Sequence, residues 1–116
     1  MTYVKIGERQ IAATVSGIHN DRSWDGRDSK TIRCAMAYEE AAALFVNGIE
    51  WSIVYVPDAY VNENGKTVQP ETEIYDNSDY CVAGDITDHR DGTVSVKMGK
   101  ITDGEALAEL MEVLNG

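Results

Sequence analysis

Short runs in which apolar and polar residues alternate dominate the chain and predict β-strands. Residues 3–6 and 9–15 alternate on either side of Gly7-Glu8, a pattern typical of a β-hairpin. The alternation changes phase at Ser16-Gly17-Ile18, which predicts a bulge or bend. A third alternating run covers residues 30–36. The first third of the chain therefore predicts three strands of a sheet.

The middle of the chain changes to helical spacing and then returns to strand. Residues 38–46 place apolar side chains at i, i+3, i+4 and i+7, and Asn47-Gly48 provides a helix C-terminus. Residues 49–56 are largely apolar on both faces, which predicts a strand in the centre of the sheet. The pattern thus predicts one helix followed by one buried strand.

The last third predicts a second hairpin and a second helix. The runs 80–86 and 93–98 flank a turn, with Val82 and Ile86 predicted to face inward. Thr102 and Glu105 have the spacing of a capping box, so a helix should begin there. Its predicted apolar stripe consists of Leu107, Leu110, Met111 and Leu114.

The segment 57–79 interrupts this regular pattern. Its first part resembles a small hairpin around an Asn64-Gly65 type I′ turn, and residues 69–79 are acidic and predict a loop. A long connection in a small domain is usually functional or mobile. We expect this segment to protrude.

The predicted elements define an α+β fold. We expect a single domain over residues 1–116: a mainly antiparallel β-sheet of about six strands with two α-helices packed on it.

Charge narrows the range of partners. The formal net charge is −10, yet residues 1–33 hold six bases and four acids, so the acidity belongs to the remainder of the chain. Such a surface repels nucleic acid and anionic membranes. It is compatible with a basic protein partner, with cation binding, or with solubility alone.

Targeting and redox signals are sparse. The first ten residues lack the apolar core of a signal peptide, and no run approaches the length of a membrane span, so we expect the cytoplasm of the producing cell as the first compartment. Cys34 and Cys81 are far apart in sequence, and the sequence leaves open whether they form a disulfide.

No pattern of residues predicts catalysis, a cofactor or a metal. His19 and His89 have no neighbouring nucleophile motif, and the glycines form no phosphate-binding loop. The run 88–92 has too few carboxylates for a calcium loop and suits a hairpin turn. We therefore predict no catalytic, cofactor-binding or metal-binding residues.

Candidate interface residues come from two segments. The polar loop 19–29 carries Trp24, which either binds a partner or folds back over the sheet edge; its acids are interleaved with arginines, which predicts local charge pairing. The candidates are Arg22, Trp24 and Arg27 in this loop and Tyr60, Asn64, Tyr75, Asp76 and Asp79 in the segment 57–79.

Three stretches carry a resemblance to known proteins: residues 24–29 (WDGRDS), residues 39–53 (EEAAALFVNGIEWSI) and residues 83–100 (AGDITDHRDGTVSVKMGK). They resemble small proteins of tailed-phage and prophage structural clusters, near the tail and baseplate genes. The resemblance rests on turns and strands and covers most of the chain, and it implies no catalytic residues.

The resemblance implies a non-enzymatic virion component that docks to neighbouring subunits, including copies of itself, and that moves from the cytoplasm into the virion. An acidic inhibitor that mimics nucleic acid and binds a basic host protein is the alternative, because carboxylates can stand where an enzyme expects phosphates. A small hydrolase is a further alternative, which would need His89 beside Asp85 or Asp88 and an apolar pocket.

Overall fold

A computed structural model describes the backbone of residues 1–115; within the last helix it describes the side chains up to residue 108 and that of Met111. In this part of the chain, strands greatly outnumber helices. The elements are β1 (Thr2–Ile6), β2 (Arg9–Asp21), β3 (Arg27–Cys34), α1 (Tyr38–Leu44), β4 (Ser52–Tyr55), β5 (Tyr60–Val61), β6 (Thr67–Val68), β7 (Glu73–Asp76), β8 (Val82–Asp88), β9 (Val94–Gly99) and α2 (Asp103–Asn115), with a 3-10 turn at Arg22–Trp24.

Seven strands form one antiparallel sheet in the order β7-β4-β1-β2-β3-β9-β8, and β5 and β6 form a separate two-stranded sheet. The α+β, mainly antiparallel prediction is confirmed. The strand that the sequence missed is β7, because the acidic residues around it suggested a loop. Residues 69–79 are therefore not a continuous loop.

One face of the sheet carries the core. Val4, Ile32, Val96 and Met98 are fully buried or nearly so, and Ala41 of α1, a helix that packs on β8 and β9, belongs to the same cluster. Burying each such aliphatic side chain contributes about 1.5–3 kcal/mol. The remaining core residues are Cys34, Phe45, Trp51 and Val94. Hence the apolar positions of the alternating runs form one layer, and the other face of the sheet is largely polar.

Bulges shift the phase of two strands. The register between β2 and β3 is irregular between Ile18 and Asp21, just after the predicted bend. A second irregularity separates Ala83 from Ile86 in β8. Because of it, Ala83 and Ile86 both pack on the core, whereas Val82 lies opposite Gly99 on the polar face. The prediction that Val82 faces inward is therefore wrong.

The strand predicted at residues 49–56 is shorter and less central than expected. β4 has a neighbour on each side, β1 and β7, but it is second from the edge. Trp51 precedes it and is 2 % exposed, with its indole Nε1 donating to the Tyr80 carbonyl at 2.8 Å. The two-sided apolar pattern reflects burial on both faces of β4: Ile53 packs on the core, whereas Val54, 3 % exposed, is buried on the opposite face.

The predicted hairpin around Asn64-Gly65 exists, but its turn is of another type. Only Gly65 has a positive φ, of +73°, whereas a type I′ turn needs positive φ at both central residues. The Asn62 side-chain oxygen accepts from the backbone N–H groups of Asn64 and Lys66, both at 3.0 Å. This side chain therefore fixes a longer turn than the Asn-Gly pair alone would form.

The second helix begins where the capping box predicts. Thr102 N donates to the Glu105 carboxylate at 3.0 Å, and Glu105 N donates to Thr102 Oγ1 at 3.2 Å. Leu107 and Met111 of the predicted apolar stripe are more than half exposed, which contradicts their packing on the sheet. The side chains of Leu110 and Leu114 lie outside the described residues. The described contacts of α2 with the sheet are made by its first turn.

The molecule is elongated. Its extents are 61 × 36 × 29 Å and its radius of gyration is 17.1 Å, against about 13 Å for a compact domain of this length. The sheet order places β7 and β8 at opposite edges, so surfaces at the two edges are separate.

Candidate functional site

Trp24 lies on the polar face of the sheet, beside β8 and β9. Its ring fills a slot left open by Gly84 and Gly99, since a Cβ atom on either glycine would come within 2.7 Å of Trp24 Cη2. Arg27 Cζ and Lys97 Nζ lie 5.3 and 5.7 Å from the ring centroid, within cation–π range. Trp24 thus folds back over the sheet, one of the two alternatives that the sequence left open.

Beneath Trp24 is a buried carboxylate, Asp21, which is 5 % exposed. It forms an ion pair with Lys97, and it accepts from Ser29 Oγ at 3.0 Å and from Ser23 Oγ at 2.6 Å. The hydrogen bonds from Lys97 and then Ser23 hold the pKa of Asp21 well below its usual range. Because a buried charge needs partners, this cluster joins the loop to β9 as part of the fold.

Arg27 joins the sheet to α2. Its guanidinium donates to the two carboxylate oxygens of Glu105 at 2.6 and 3.1 Å and to the Lys100 carbonyl at 2.8 Å. The predicted local pairing in this loop is wrong for Asp21 and Arg27, because their partners come from β9 and α2. Arg22 is exposed on the 3-10 turn.

A polar cleft of about 480 Å³ opens beside Trp24 and is lined by Ser23, Ala83, Gly84, Asp85 and Lys97. Its size falls in the range of small-molecule sites. The cation in its lining, the Lys97 ammonium, already binds the Asp21 carboxylate and Ser23 Oγ. Lys97 is therefore used by the fold and does not mark the cleft as a ligand site.

The His89 ring lies next to a serine. His89 Nε2 and Ser95 Oγ are 2.7 Å apart, which is the distance of a nucleophile–base pair. The neighbouring carboxylates instead accept from the turn: Asp88 from Arg90 N at 2.9 Å, and Asp91 from Thr93 N at 3.0 Å. Because His89 is exposed, the His89–Ser95 pair is open to water and does not lie in an enclosed pocket.

Cys34 is a buried free thiol, and Cys81 is half-buried. Burial raises the pKa of the Cys34 thiol, which makes it a poor nucleophile. Among the described residues, no group of three or more His, Cys, Asp or Glu side chains could hold a metal ion.

The opposite edge of the sheet exposes large apolar side chains. Ile74 and Tyr75 of β7 are 63 % and 52 % exposed, and Tyr55 of β4 is 41 % exposed. Since Ile74 and Tyr75 are adjacent in a strand, they point to opposite faces. We call these three residues the β7 edge surface. The β5–β6 hairpin, which lies between β4 and β7 in the sequence, separately exposes Tyr60 and Val61 by more than half.

The other candidates of segment 57–79 lie at different places. Asn64 is in the turn of the β5–β6 hairpin. Asp76 ends β7 and accepts from Ser78 N at 3.0 Å and Ser78 Oγ at 2.6 Å, so the pKa of its carboxyl is lowered by these bonds. Asp79 lies farther on, where its carbonyl accepts from Ile101 N at 2.8 Å.

The predicted interface residues are thus not brought together at one site. Trp24 and Arg27 are used by the fold at the β8–β9 side, whereas Tyr75 belongs to the β7 edge surface and Tyr60 is exposed on the β5–β6 hairpin. Sequence reasoning missed Tyr55, Val61 and Ile74. The signal that could have found Ile74 is the pair of β-favouring residues Ile74-Tyr75 between two acids.

Comparison with known proteins gives no relative: no family model, no curated protein and no solved structure matches this chain. Neither helix within residues 1–115 is long and apolar enough to span a membrane.

Proposed function

We propose that this chain is a non-enzymatic protein-interaction module that serves as a subunit of a tailed-phage virion, in the tail or baseplate region. The observation that carries the proposal is the β7 edge surface. An open sheet edge with exposed apolar side chains is a template for pairing with another chain, and Tyr is enriched at interface hot spots. The resemblance of residues 24–29, 39–53 and 83–100 to phage structural-cluster proteins supplies the setting.

The charges around this surface define the partner's chemistry. The segment 57–79 carries six carboxylates and one base, Lys66. A partner protein with a positively charged surface would associate with this segment faster, and acidic proteins would be disfavoured by repulsion. The partner is therefore a protein with a basic surface, and nucleic acid and anionic membranes are excluded from this face by repulsion.

The test is incorporation into particles. Virions of the phage or prophage that carries this gene are purified, and the chain is quantified by mass spectrometry for the wild type, Tyr75→Ser and the matched control Tyr38→Ser, whose tyrosine on α1 is 44 % exposed. We expect Tyr75→Ser to reduce incorporation about tenfold, as for a hot-spot aromatic, and Tyr38→Ser to leave it unchanged. Particles that never contain the chain would overturn the proposal.

An acidic inhibitor is a second candidate, favoured by the same surplus of carboxylates. An inhibitor that mimics nucleic acid would bind a basic enzyme mainly through charge, so its affinity would fall steeply with salt. Charge neutralisation in segment 57–79 would then weaken binding more than Tyr75→Ser does. For a virion subunit, the loss of the aromatic side chain has the larger effect.

A further inference from the structure

The end strand β7 has one side of its ladder open. It pairs only with β4, in the register Ser52↔Asp76 to Tyr55↔Glu73. Asn77 N donates to the Trp51 carbonyl at 2.9 Å. Backbone groups alternate in an antiparallel ladder, so those of Tyr75 face β4 while those of Ile74 and Asp76 face outward.

An added strand would find apolar contacts on both of its faces. Ile74 stands on one face of β7, and Tyr75 stands on the other, beside Tyr55 of β4. Cross-strand pairs of aromatic and β-branched residues stabilise a sheet. The strand is also free of proline, which would block a ladder.

Acidic residues bracket this open strand. Glu73 and Asp76 are its first and last residues, and Glu71 lies just before it. Of the ion pairs in the described residues, none uses these three carboxylates. The Glu73 carboxylate raises the pKa of the Tyr75 phenol, as a negative local potential should.

These charges disfavour a second copy of the chain as the occupant. If β7 paired with its own copy in the register that places Tyr75 opposite Tyr75, Asp76 would stand opposite Ile74. The carboxylates of Glu71, Glu73 and Asp76 from both copies would then line one seam without a base between them, and close like charges destabilise such a pairing. The other edge strand, β8, carries Asp85 and Asp88. The chain's own basic run, residues 30–33, lies in β3, which is paired on both sides.

We propose that β7 binds an extended segment of a basic partner by antiparallel strand addition, an inference that rests on the proposed function and specifies its binding mode. Glu73 and Asp76 are three residues apart, so the segment that fits has the order basic–apolar–apolar–basic. Its two basic residues stand opposite the two carboxylates. Its apolar residues pack against Ile74 and Tyr75.

A peptide titration tests this binding mode. The probe is an amidated octapeptide with the central sequence lysine-valine-isoleucine-lysine, and the control peptide has glutamate in place of both lysines. Binding is followed by the amide shifts of ¹⁵N-labelled protein. We expect the largest shifts at Ile74 and Asp76 and about tenfold tighter binding of the lysine peptide, because two opposite-charge pairs replace two like-charge pairs.

Two variants separate backbone pairing from side-chain contact. Ile74→Pro removes the outward N–H, which an edge strand tolerates, and should abolish binding. Ile74→Ala keeps this N–H and should retain part of the affinity. Glu73→Lys should reverse the preference between the two peptides. The unchanged shifts of β2, β3 and β9 report that each variant is folded.

The outcomes distinguish this inference from the proposed function. If neither peptide binds, if both bind equally, or if Ile74→Pro binds like Ile74→Ala, strand addition at β7 is wrong. The chain can still enter virions in that case, and the role of the β7 edge surface is then side-chain docking alone. Conversely, virions that lack the chain overturn the function even if the lysine peptide shifts β7.

Discussion

At the scale of single residues, the packing of Trp24 depends on two glycines. Gly84 and Gly99 contact the ring so closely that no side chain fits between it and the strands. The sequence left open whether Trp24 is exposed or packed, since its answer lies in residues sixty and more positions away. No local pattern around residues 19–29 encodes the slot that receives the ring.

We predict that Gly84→Ala expels Trp24 from this slot. The new Cβ would meet Trp24 Cη2 at 2.7 Å, and overpacking of this kind costs about 1–3 kcal/mol. Chemical denaturation should show this loss of stability, and the Trp24 emission should shift to longer wavelength as the ring enters water. Gly17→Ala is the control, because its Cβ would have its nearest neighbour at 3.8 Å. Equal stability of the two variants would refute the packing role.

Individual carboxylates show the same limit of sequence reasoning. The acids of the 88–92 turn accept backbone N–H groups, as the turn interpretation predicts. Asp21, in contrast, pairs with Lys97, far along the chain. Turn chemistry is local and therefore predictable, whereas ion pairs depend on which strands the fold makes neighbours.

At the scale of elements, the ion pair that joins the described part of α2 to the sheet is Arg27–Glu105. The hydrogen bonds from Arg27 and then from Thr102 lower the pKa of Glu105 from the ordinary 4.5 to about 2. A carboxyl whose pKa is lower in the folded state stabilises that state fully above its unfolded pKa. The stabilisation is lost as pH falls through the folded pKa.

We therefore predict a pH-dependent difference between the wild type and Glu105→Gln, a variant that keeps the capping geometry without the charge. The difference in Tm should be constant above about pH 5 and should close as pH falls from about 4.5 to about 2. Melting curves across this range measure it, with the exposed Glu63→Gln as control. A difference that stays constant down to pH 2 would show that Arg27 does not hold α2 through the Glu105 charge.

The elements themselves were largely predictable from local pattern. The strands at residues 3–15, 30–36 and 93–98, helix α1 and the start of α2 agree with the structure, because alternation, helical spacing and capping are local properties. β7 was missed because its four residues include two acids, so that only Ile74 and Tyr75 are apolar and no alternation is visible. The orientation of Val82 was predicted wrongly because the bulge between Ala83 and Ile86 reverses the faces to which the residues on its two sides point.

At the scale of the whole molecule, the net negative charge opposes association of copies through the exposed apolar edge. The net charge of −10 produces repulsion between copies at neutral pH, and this repulsion vanishes near the isoelectric point of about 4.4. The β7 edge surface is therefore defined by two properties, its exposed apolar side chains and the negative charge around them. The sequence predicts the charge, but the position of the exposed side chains depends on the order of the strands.

We predict that copies of the chain associate as pH falls towards about 4.4 and that the β7 edge surface mediates the contact. Ile74→Lys should suppress this association relative to Ile18→Lys, which adds the same charge at a residue of β2 that is 47 % exposed. Sedimentation velocity at pH 7 and pH 4.4 measures both. Equal association of the two variants would locate the contact elsewhere.

The unlike edges of the sheet give the subunit a direction. The β7 edge is open and flanked by acids, while the Trp24 cluster covers the polar face near the other edge. When β7 pairs with a basic segment of another protein, that cluster stays on the far side of the sheet. A partner that repeats around an axis would therefore hold each bound copy in one orientation. Every copy in that assembly would face the same way round, and the assembly would have a front and a back.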